Sequence, residues 1–477
     1  MDLLFVQNIW FEFLGTMSLL AVARQNGFSV DIAIGKDTLL LREIKNRKPR
    51  IVAFSCVTGV QQWAIDMCRI VKTQIDSSIV TLMGGPHPSY FPEIIQQTEY
   101  LDMICVGEGE NALLDILFAK KLPENAAGIA NIHVRIGDQI IKNDVRPLIQ
   151  DLDALPFMDR HAIYRYPLIR DNPVKRLISG RGCPHACSFC FNHSMKNLYK
   201  GKGAYVRKRS VENVLDEIEA IEKHWPVKTY RFEDDLFGVN KKWLLEFCDK
   251  YPYRFSTPFI CSLRADSVDR DVASALKNAG CFNIVMGVES GNESLRNDLL
   301  KKNITDEQLK HAAALFHEFD LKFCTTNILG LPGETFEQAL QTMRFTWELN
   351  PTFTWCSVFQ PYPRTELGSL VEKDELVDCL DVDLIEPNYH SGSLLKQPDI
   401  DRSVNLHKFF YVLFAKPGLL KWIKPLLKLP PNSLFTLVHR ISFLLIYRKR
   451  WNISLSRALR EGLKSSGFTR KQKKRNA

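Results

Sequence analysis

The chain has 477 residues, too many for one ordinary core, and its 45% hydrophobic and 25% charged content excludes global disorder. Its net charge of +9 is unevenly spread: residues 401–477 hold 18 Lys and Arg against Asp401 and Glu461, net +16, so residues 1–400 carry −7 and the basic character belongs to the tail alone. No run of about 20 apolar residues occurs, so no transmembrane helix is expected.

The first residues carry Asp2 and Glu12 and no basic n-region, so they read as a buried strand rather than a signal peptide. Five short apolar strands then alternate with amphipathic helices to about residue 120. The strands are 3–6, 30–34, 51–55, 79–83 and 102–106; the helices lie near 16–26, 38–46, 60–74, 89–97 and 110–120. This alternation predicts a parallel, doubly wound, flavodoxin-like sheet whose ligands bind beyond the carboxyl ends of the strands. A hairpin follows across Gly137-Asp138, and Pro147 and Pro156 mark a linker.

A second alternation begins at Lys175. It runs through strands 175–179, 227–232, 259–262, 282–287, 323–329 and 353–359, with helices 210–224, 268–279, 305–319 and 335–349, of which the first and third start at the capping residues Ser210 and Thr305. Six parallel strands fit a partial TIM-type barrel. The predicted organisation is a doubly wound domain (1–145), a linker (146–168), a partial barrel (169–370) and a mostly helical basic region (371–477).

The chemistry is concentrated directly after the first barrel strand, in Gly180-Arg-Gly-Cys183-Pro-His-Ala-Cys187-Ser-Phe-Cys190. Three thiolates at C-x3-C-x2-C spacing can ligate three irons of a 4Fe-4S cluster and leave the fourth iron open, and an open metal position is the mark of a catalytic site. The alternative is a structural zinc site completed by His193. The other nine cysteines fall singly along the chain, as reduced thiols in a cytoplasmic protein do.

The cysteine run resembles the signature loop of radical S-adenosylmethionine enzymes. The resemblance implies that the open iron chelates the methionine amino and carboxylate groups, that one electron cleaves the sulfonium to a 5'-deoxyadenosyl radical, and that Phe189 lies against the adenine. It further implies that Glu233 and Asp234 serve the amino group, Arg264, Glu289 and Ser290 the ribose and carboxylate, and Gly330 the adenine through its backbone. A carboxylate facing an ammonium is a charge-assisted hydrogen bond; the other reading of Glu233-Asp234-Asp235 is a solvated acidic loop. Phe359-Gln-Pro-Tyr-Pro-Arg364 closes the barrel, where relatives usually have glycine in place of Arg364.

In the first domain Ser55, Thr58, Gly84, Gly85, His87, Gly107 and Glu108 lie at strand ends. Together with Leu14–Ala21 they resemble the cobalamin-binding domain of class B radical methyltransferases and of the oxygen-independent Mg-protoporphyrin monomethyl ester cyclases. The Asp-x-His-x-x-Gly motif that gives cobalt a histidine is absent, and Asn8-Ile-Trp10-Phe-Glu-Phe13 stands in its place, so the lower face of the corrinoid is expected to be open or shielded. The resemblance thus implies a 4Fe-4S cluster, S-adenosyl-L-methionine and cobalamin, an external one-electron reductant of the flavodoxin or ferredoxin type, and a small-molecule substrate.

C-methylation of an unactivated carbon is the reading favoured, with oxidative cyclisation or rearrangement as its rival. A methylthiotransferase using Cys56, Cys68 and Cys105 and a non-enzymatic corrinoid-binding protein are more distant alternatives. In the tail, Phe409, Phe410, Leu413, Trp422 and Leu426 alternate with Lys416, Lys421, Lys424 and Lys428. This pattern suits either a helical cap on the barrel or a peripheral contact with anionic membrane, which would favour an apolar substrate; nucleic-acid recognition motifs are lacking.

Overall fold

The computed structural model describes residues 1–385, 390 and 392–451; the basic run 452–477 that ends the tail lies outside the described residues. Two compact units share the chain, one of residues 1–184, 191–237 and 253–259, the other of residues 185–190, 238–252 and 260 onward.

In the first unit, strands β1 (Leu3–Gln7), β2 (Val30–Ile34), β3 (Ile51–Ser55), β4 (Val80–Gly84), β5 (Met103–Cys105), β6 (Ile132–Ile136) and β7 (Gln139–Lys142) form one sheet in the order β2-β1-β3-β4-β5-β6-β7. The first five are parallel, with Leu3 opposite both Val30 and Ile51, and the predicted hairpin adds β6 and β7 antiparallel to the β5 edge. The order 2-1-3-4-5 is that of the doubly wound, flavodoxin-like fold expected. Every residue of β1 and β2 is buried, as strands covered on both faces must be. The predicted helix 89–97 is instead a short helix Pro86–Tyr90 and a 3-10 turn Pro92–Gln96, because Pro92 withholds a backbone donor. Asp159 caps a short helix, Arg160–Tyr164, whose Ala162, Ile163 and Tyr164 join the core of this sheet.

Strands β8 (Val174–Leu177), β9 (Thr229–Phe232), β10 (Phe259–Leu263), β11 (Cys281–Glu289), β12 (Phe323–Leu329) and β13 (Phe353–Val358) form a six-stranded sheet in chain order, β8 to β13, as in part of a barrel. The pairings β8 with β9, β11 with β12 and β12 with β13 are parallel. Intervening helices start where side chains satisfy their first amides. Ser210 accepts from Asn213 N, and Thr305 and Thr335 form reciprocal capping boxes with Gln308 and Gln338, each cap contributing about 1 kcal/mol. One helix, Lys241–Arg254, has no counterpart among the predicted elements: Pro252 reads as a breaker, yet Trp243, Leu244, Phe247, Cys248 and Tyr251 give it a buried stripe.

The helix Ile400–Ala415 turns Leu406, Phe409, Phe410 and Leu413 into a core with Leu340, Met343, Cys356, Ile423, Leu427 and Phe435. Three of the five apolar residues noted in the tail, Phe409, Phe410 and Leu413, are therefore interior, with each large side chain contributing about 1.5–3 kcal/mol. Among the described residues no helix is long and apolar enough to cross a membrane.

Candidate active site and cofactor cleft

The first unit contains a cavity of about 280 Å³ at the carboxyl ends of β1, β3, β4 and β5. Ser55, Gly84, Gly85, Gly107 and Glu108 line it, together with Leu14, Gly15, Ser18 and Leu19 of the first helix. Gly85 has φ 96°, and a Cβ there would sit 2.9 Å from the Cys56 carbonyl oxygen. Gly107, at φ 82°, makes room for Tyr199, whose hydroxyl would lie 1.8 Å from a Cβ and which accepts the Glu108 amide at 2.7 Å. The apolar wall, the glycine-bearing strand ends and the size of the cavity fit the nucleotide tail of a corrinoid.

Thr58 and His87 do not line this cavity. They bond to each other, Oγ1 to Nδ1 at 3.1 Å, and His87 is buried, which pushes its imidazole down to about 4. Trp10, which stands where the cobalt-ligating motif would have its histidine, is 40% exposed and packs edge-on to Tyr166.

Glu108 and Glu110 are held in ion pairs. Arg181 donates to Glu108 at 2.9 Å and to Glu110 at 2.6 Å, Arg207 also pairs with Glu108, and Ser18 donates to Glu110 at 3.2 Å. Arg181 stands two residues before Cys183, in a two-residue strand, Gly180–Arg181, paired antiparallel with Arg207–Lys208. Gly182 follows at φ 85°, its Cβ position 2.4 Å from the Tyr205 carbonyl.

Cys183, Cys187 and Cys190 are partly exposed and none of the twelve cysteines is in a disulfide. Burial raises the Cys187 thiol, while the positive charges of Lys302 and Arg264 act the other way. Between the second and third cysteines, Ser188 donates its amide to Leu300 O at 3.0 Å and its hydroxyl to Leu299 O at 2.6 Å, and accepts from Leu367 N at 2.9 Å. Nothing in the sequence marks Ser188 for this anchoring. Phe189 packs against the apolar group of Leu300, Leu331, Phe359 and Leu367. By contrast Cys56, Cys68 and Cys105 are buried in the first unit, Cys68 within the helix Gln61–Ile70, and burial pushes all three thiols up, Cys105 to about 12.

The three acids after β9 differ. Glu233 pairs with Arg176 and Arg231, at 2.8 and 3.0 Å. Asp234 accepts from Ser179 N and Oγ at 3.0 and 2.6 Å and from Lys208 at 3.0 Å. Among the described residues Asp235 receives only neutral donors, Asn192 at 2.9 Å and the Gly182 amide, and burial together with the Asp234 charge raises its carboxyl. In the sequence alone the three acids of this run look alike.

In the second unit Arg264 is clasped by Asp266 at 3.0 and 2.9 Å and donates to Lys302 O at 2.8 Å. Glu289 adopts φ 67° and accepts from Lys302 at 2.7 Å. Ser290 is fully buried, and its carbonyl accepts from the fully buried Arg296 at 2.9 Å. Gly330, at φ 73°, donates its amide to Glu334 at 2.6 Å. Arg364 holds φ 67°, the left-handed conformation that explains the glycine usual at this place.

Comparison with known proteins agrees with this layout. The Radical SAM superfamily profile matches residues 177–346, and the B12 binding domain profile matches residues 11–117. An uncharacterized methyltransferase of Pyrococcus horikoshii, PH0819, is 28% identical over 327 residues, 68% of this chain and 70% of that protein. The anaerobic magnesium-protoporphyrin IX monomethyl ester cyclase of Cereibacter sphaeroides is 25% identical over 388 residues, 78% of this chain and 61% of the cyclase. Among solved structures, the cobalamin-dependent S-adenosylmethionine radical enzyme OxsB, with aqua-cobalamin and S-adenosylmethionine bound, superposes with a TM-score of 0.70 at 18% identity, covering 93% of this chain and 72% of that one. The radical S-adenosylmethionine methyltransferase TsrM from Kitasatospora setae gives 0.65 at 17% identity, covering 78% and 76%.

Proposed function

Because the chain belongs to the cobalamin-dependent radical S-adenosylmethionine enzymes, we propose that it transfers a methyl group to an unactivated carbon of a small molecule. The observation that carries this reading is Arg181, which joins the acids at the mouth of the strand-end cavity to the start of the cysteine loop. When bound, the cluster supplies the electron that cleaves S-adenosylmethionine to the 5'-deoxyadenosyl radical, and cobalamin supplies the methyl group.

Cys183, Cys187 and Cys190 hold the cluster. Asp235, the acid of its run with no cationic partner among the described residues, accepts a hydrogen bond from the S-adenosylmethionine amino group in place of Glu233 and Asp234, which are neutralised by Arg176, Arg231 and Lys208. Arg264 and Lys302 orient Glu289 toward the polar groups of the same ligand, and Gly330 presents backbone to the adenine. Phe189 supplies an apolar contact that excludes water. Ser55, Gly84 and Gly85 hold the nucleotide tail, while Thr58 and His87 support the loop behind it. The electron comes from an external flavodoxin or ferredoxin type of reductant.

The test is anaerobic reconstitution with iron, sulfide and hydroxocobalamin, followed by incubation of the reduced protein with trideuteromethyl S-adenosylmethionine and candidate acceptors. One corrinoid retained per chain, deoxyadenosine formation and a labelled methyl in the product support the reading. A product without label that has lost hydrogens supports the cyclase-type alternative, which the similarity to the cyclase favours. No retained corrinoid defeats both.

The cytoplasm suits a chain with twelve cysteines and no disulfide. Peripheral contact with anionic membrane is supported by exposed Trp422, Leu426 and Leu429 beside Lys421, Lys424 and Lys428. Flotation with anionic vesicles tests it, and protein left at the bottom of the gradient removes the idea.

A further inference from the structure

We propose that His390, His407 and His439 form a second metal centre, which takes a divalent transition-metal ion of the zinc type. One ring nitrogen of each histidine lies within 4.8 Å of the others. The three come from separate elements: a turn at His390, the helix Ile400–Ala415 and the helix Ser433–Trp451. Residues 17 and 32 positions apart have no local reason to meet, so the fold itself assembles the group.

His407 is fully buried and His439 is 4% exposed. Nε2 of His407 lies 3.2 Å from the Cys356 carbonyl oxygen of β13. That bond places the proton on Nε2 and leaves Nδ1 with a lone pair, the arrangement in which a backbone carbonyl orients a metal-binding imidazole. Among the described residues Nδ1 of His407 and Nδ1 of His439 have no hydrogen-bond partner, and a bound ion is one of the few things that satisfies buried polar atoms left so. A purely hydrogen-bonded cluster explains the 3.4 Å contact between His390 Nδ1 and His407 Nε2 but leaves both Nδ1 atoms unused.

Burial and mutual repulsion hold His407 well below the ordinary histidine range, and burial puts His390 near 4 and His439 near 3. All three rings are therefore neutral at pH 7, the form that ligates a metal. Trp355, Tyr411 and Phe443 pack around them and provide an apolar shell. Lys408, which donates to the His390 carbonyl, and Arg440 are the cations facing the cluster. They favour an anionic fourth ligand, such as hydroxide, at the position three histidines leave open. The ion would clamp the turn at residue 390 and the two C-terminal helices onto the edge strand β13.

The test uses the full chain, reconstituted anaerobically so that iron fills the cysteine loop, then equilibrated with zinc, desalted and analysed for metals. The expected result is one zinc per chain beyond the cluster iron, lost at least tenfold in both His407→Gln, whose amide nitrogen reaches the place of Nε2 and can still donate to Cys356 O, and His439→Phe. Zinc should also raise the melting temperature of the metal-stripped wild type by about 5 °C and leave the variants unmoved. X-ray absorption at the zinc edge of the wild type decides the matter if a variant does not fold. Nitrogen neighbours at about 2.0 Å support the site, whereas sulfur at about 2.3 Å, or no zinc retained, overturns it.

Discussion

Arg181 Nη2 donates to Glu110 Oε1 at 2.6 Å, and the carboxylate that receives it is almost wholly buried. Burial alone would raise the Glu110 carboxyl, but the Arg181 charge and hydrogen bond, aided by Ser18, hold it below its ordinary value. The pair ties a strand-end loop of the doubly wound sheet to the segment that enters the cysteine loop.

Glu110→Gln should therefore cost about 3 kcal/mol at pH 7, since removing one partner leaves the other a buried charge with less compensation. The folded pKa lies below the unfolded one, so the stabilisation is fully present above about pH 4.5 and is lost as the pH falls through the folded value. Urea unfolding of the wild type should weaken over that acidic window more steeply than unfolding of the variant. An unchanged urea midpoint at pH 7 would show that the pair organises nothing.

Cys187→Ala should abolish deoxyadenosine formation and lower iron to background, while cobalamin retention stays within about twofold of wild type. The reason is that Cys187 lies in the second unit, whereas every residue lining the strand-end cavity lies in the first. Metal analysis and extracted corrinoid absorption measure the two separately. Turnover by the variant would defeat radical chemistry on this loop.

Much of this was legible before the structure. The two strand-helix alternations give the sheet orders because parallel strands with short crossovers have few topologies open to them, and C-x3-C-x2-C is a local signal. The partnering of side chains was not legible. Asp234 and Asp235 are neighbours in sequence, yet Asp234 is consumed by Ser179 and Lys208 while Asp235 meets Asn192. Glu108 reads as a cofactor contact and does line the cavity, but its sharing between Arg181 and Arg207 has no signal in the sequence. The histidines of the tail carried no spacing signal, since their meeting depends on how two helices and a turn pack.

Gly84 and Gly85 should respond differently to alanine. A Cβ at Gly84 meets only Cys105 Cβ, at 3.7 Å, whereas one at Gly85 meets the Cys56 carbonyl oxygen at 2.9 Å with φ at 96°. Gly85→Ala is expected to destabilise the chain by about 1–3 kcal/mol through backbone strain and to lower corrinoid retention. Gly84→Ala should keep wild-type stability and lower retention alone, because its methyl occupies cavity space. Denaturant midpoints and retained corrinoid separate the two effects, and equal stability of the two variants would refute the geometric argument.

Glu334 is buried beneath the Gly330 loop and accepts hydrogen bonds from the amides of Gly330 and Leu331, at 2.6 and 3.4 Å. Burial pushes its carboxyl up to about 8 despite those donors. The folded chain thus keeps a proton that the unfolded chain releases near pH 4.5. Between these values the native state binds more protons than the unfolded state, so unfolding free energy must fall as the pH rises from 5 toward 8. The slope approaches about 1.4 kcal/mol per pH unit where the difference is one full proton. Glu334→Gln keeps an oxygen for the Gly330 amide and has nothing to titrate, so its stability should decline less over the same range. Urea unfolding at pH 5, 6, 7 and 8 compares the two chains: curves that converge toward pH 5 and separate toward pH 8, with the variant the more stable, are expected. Parallel curves would mean that Glu334 is ionised throughout and that the loop is held by a buried carboxylate.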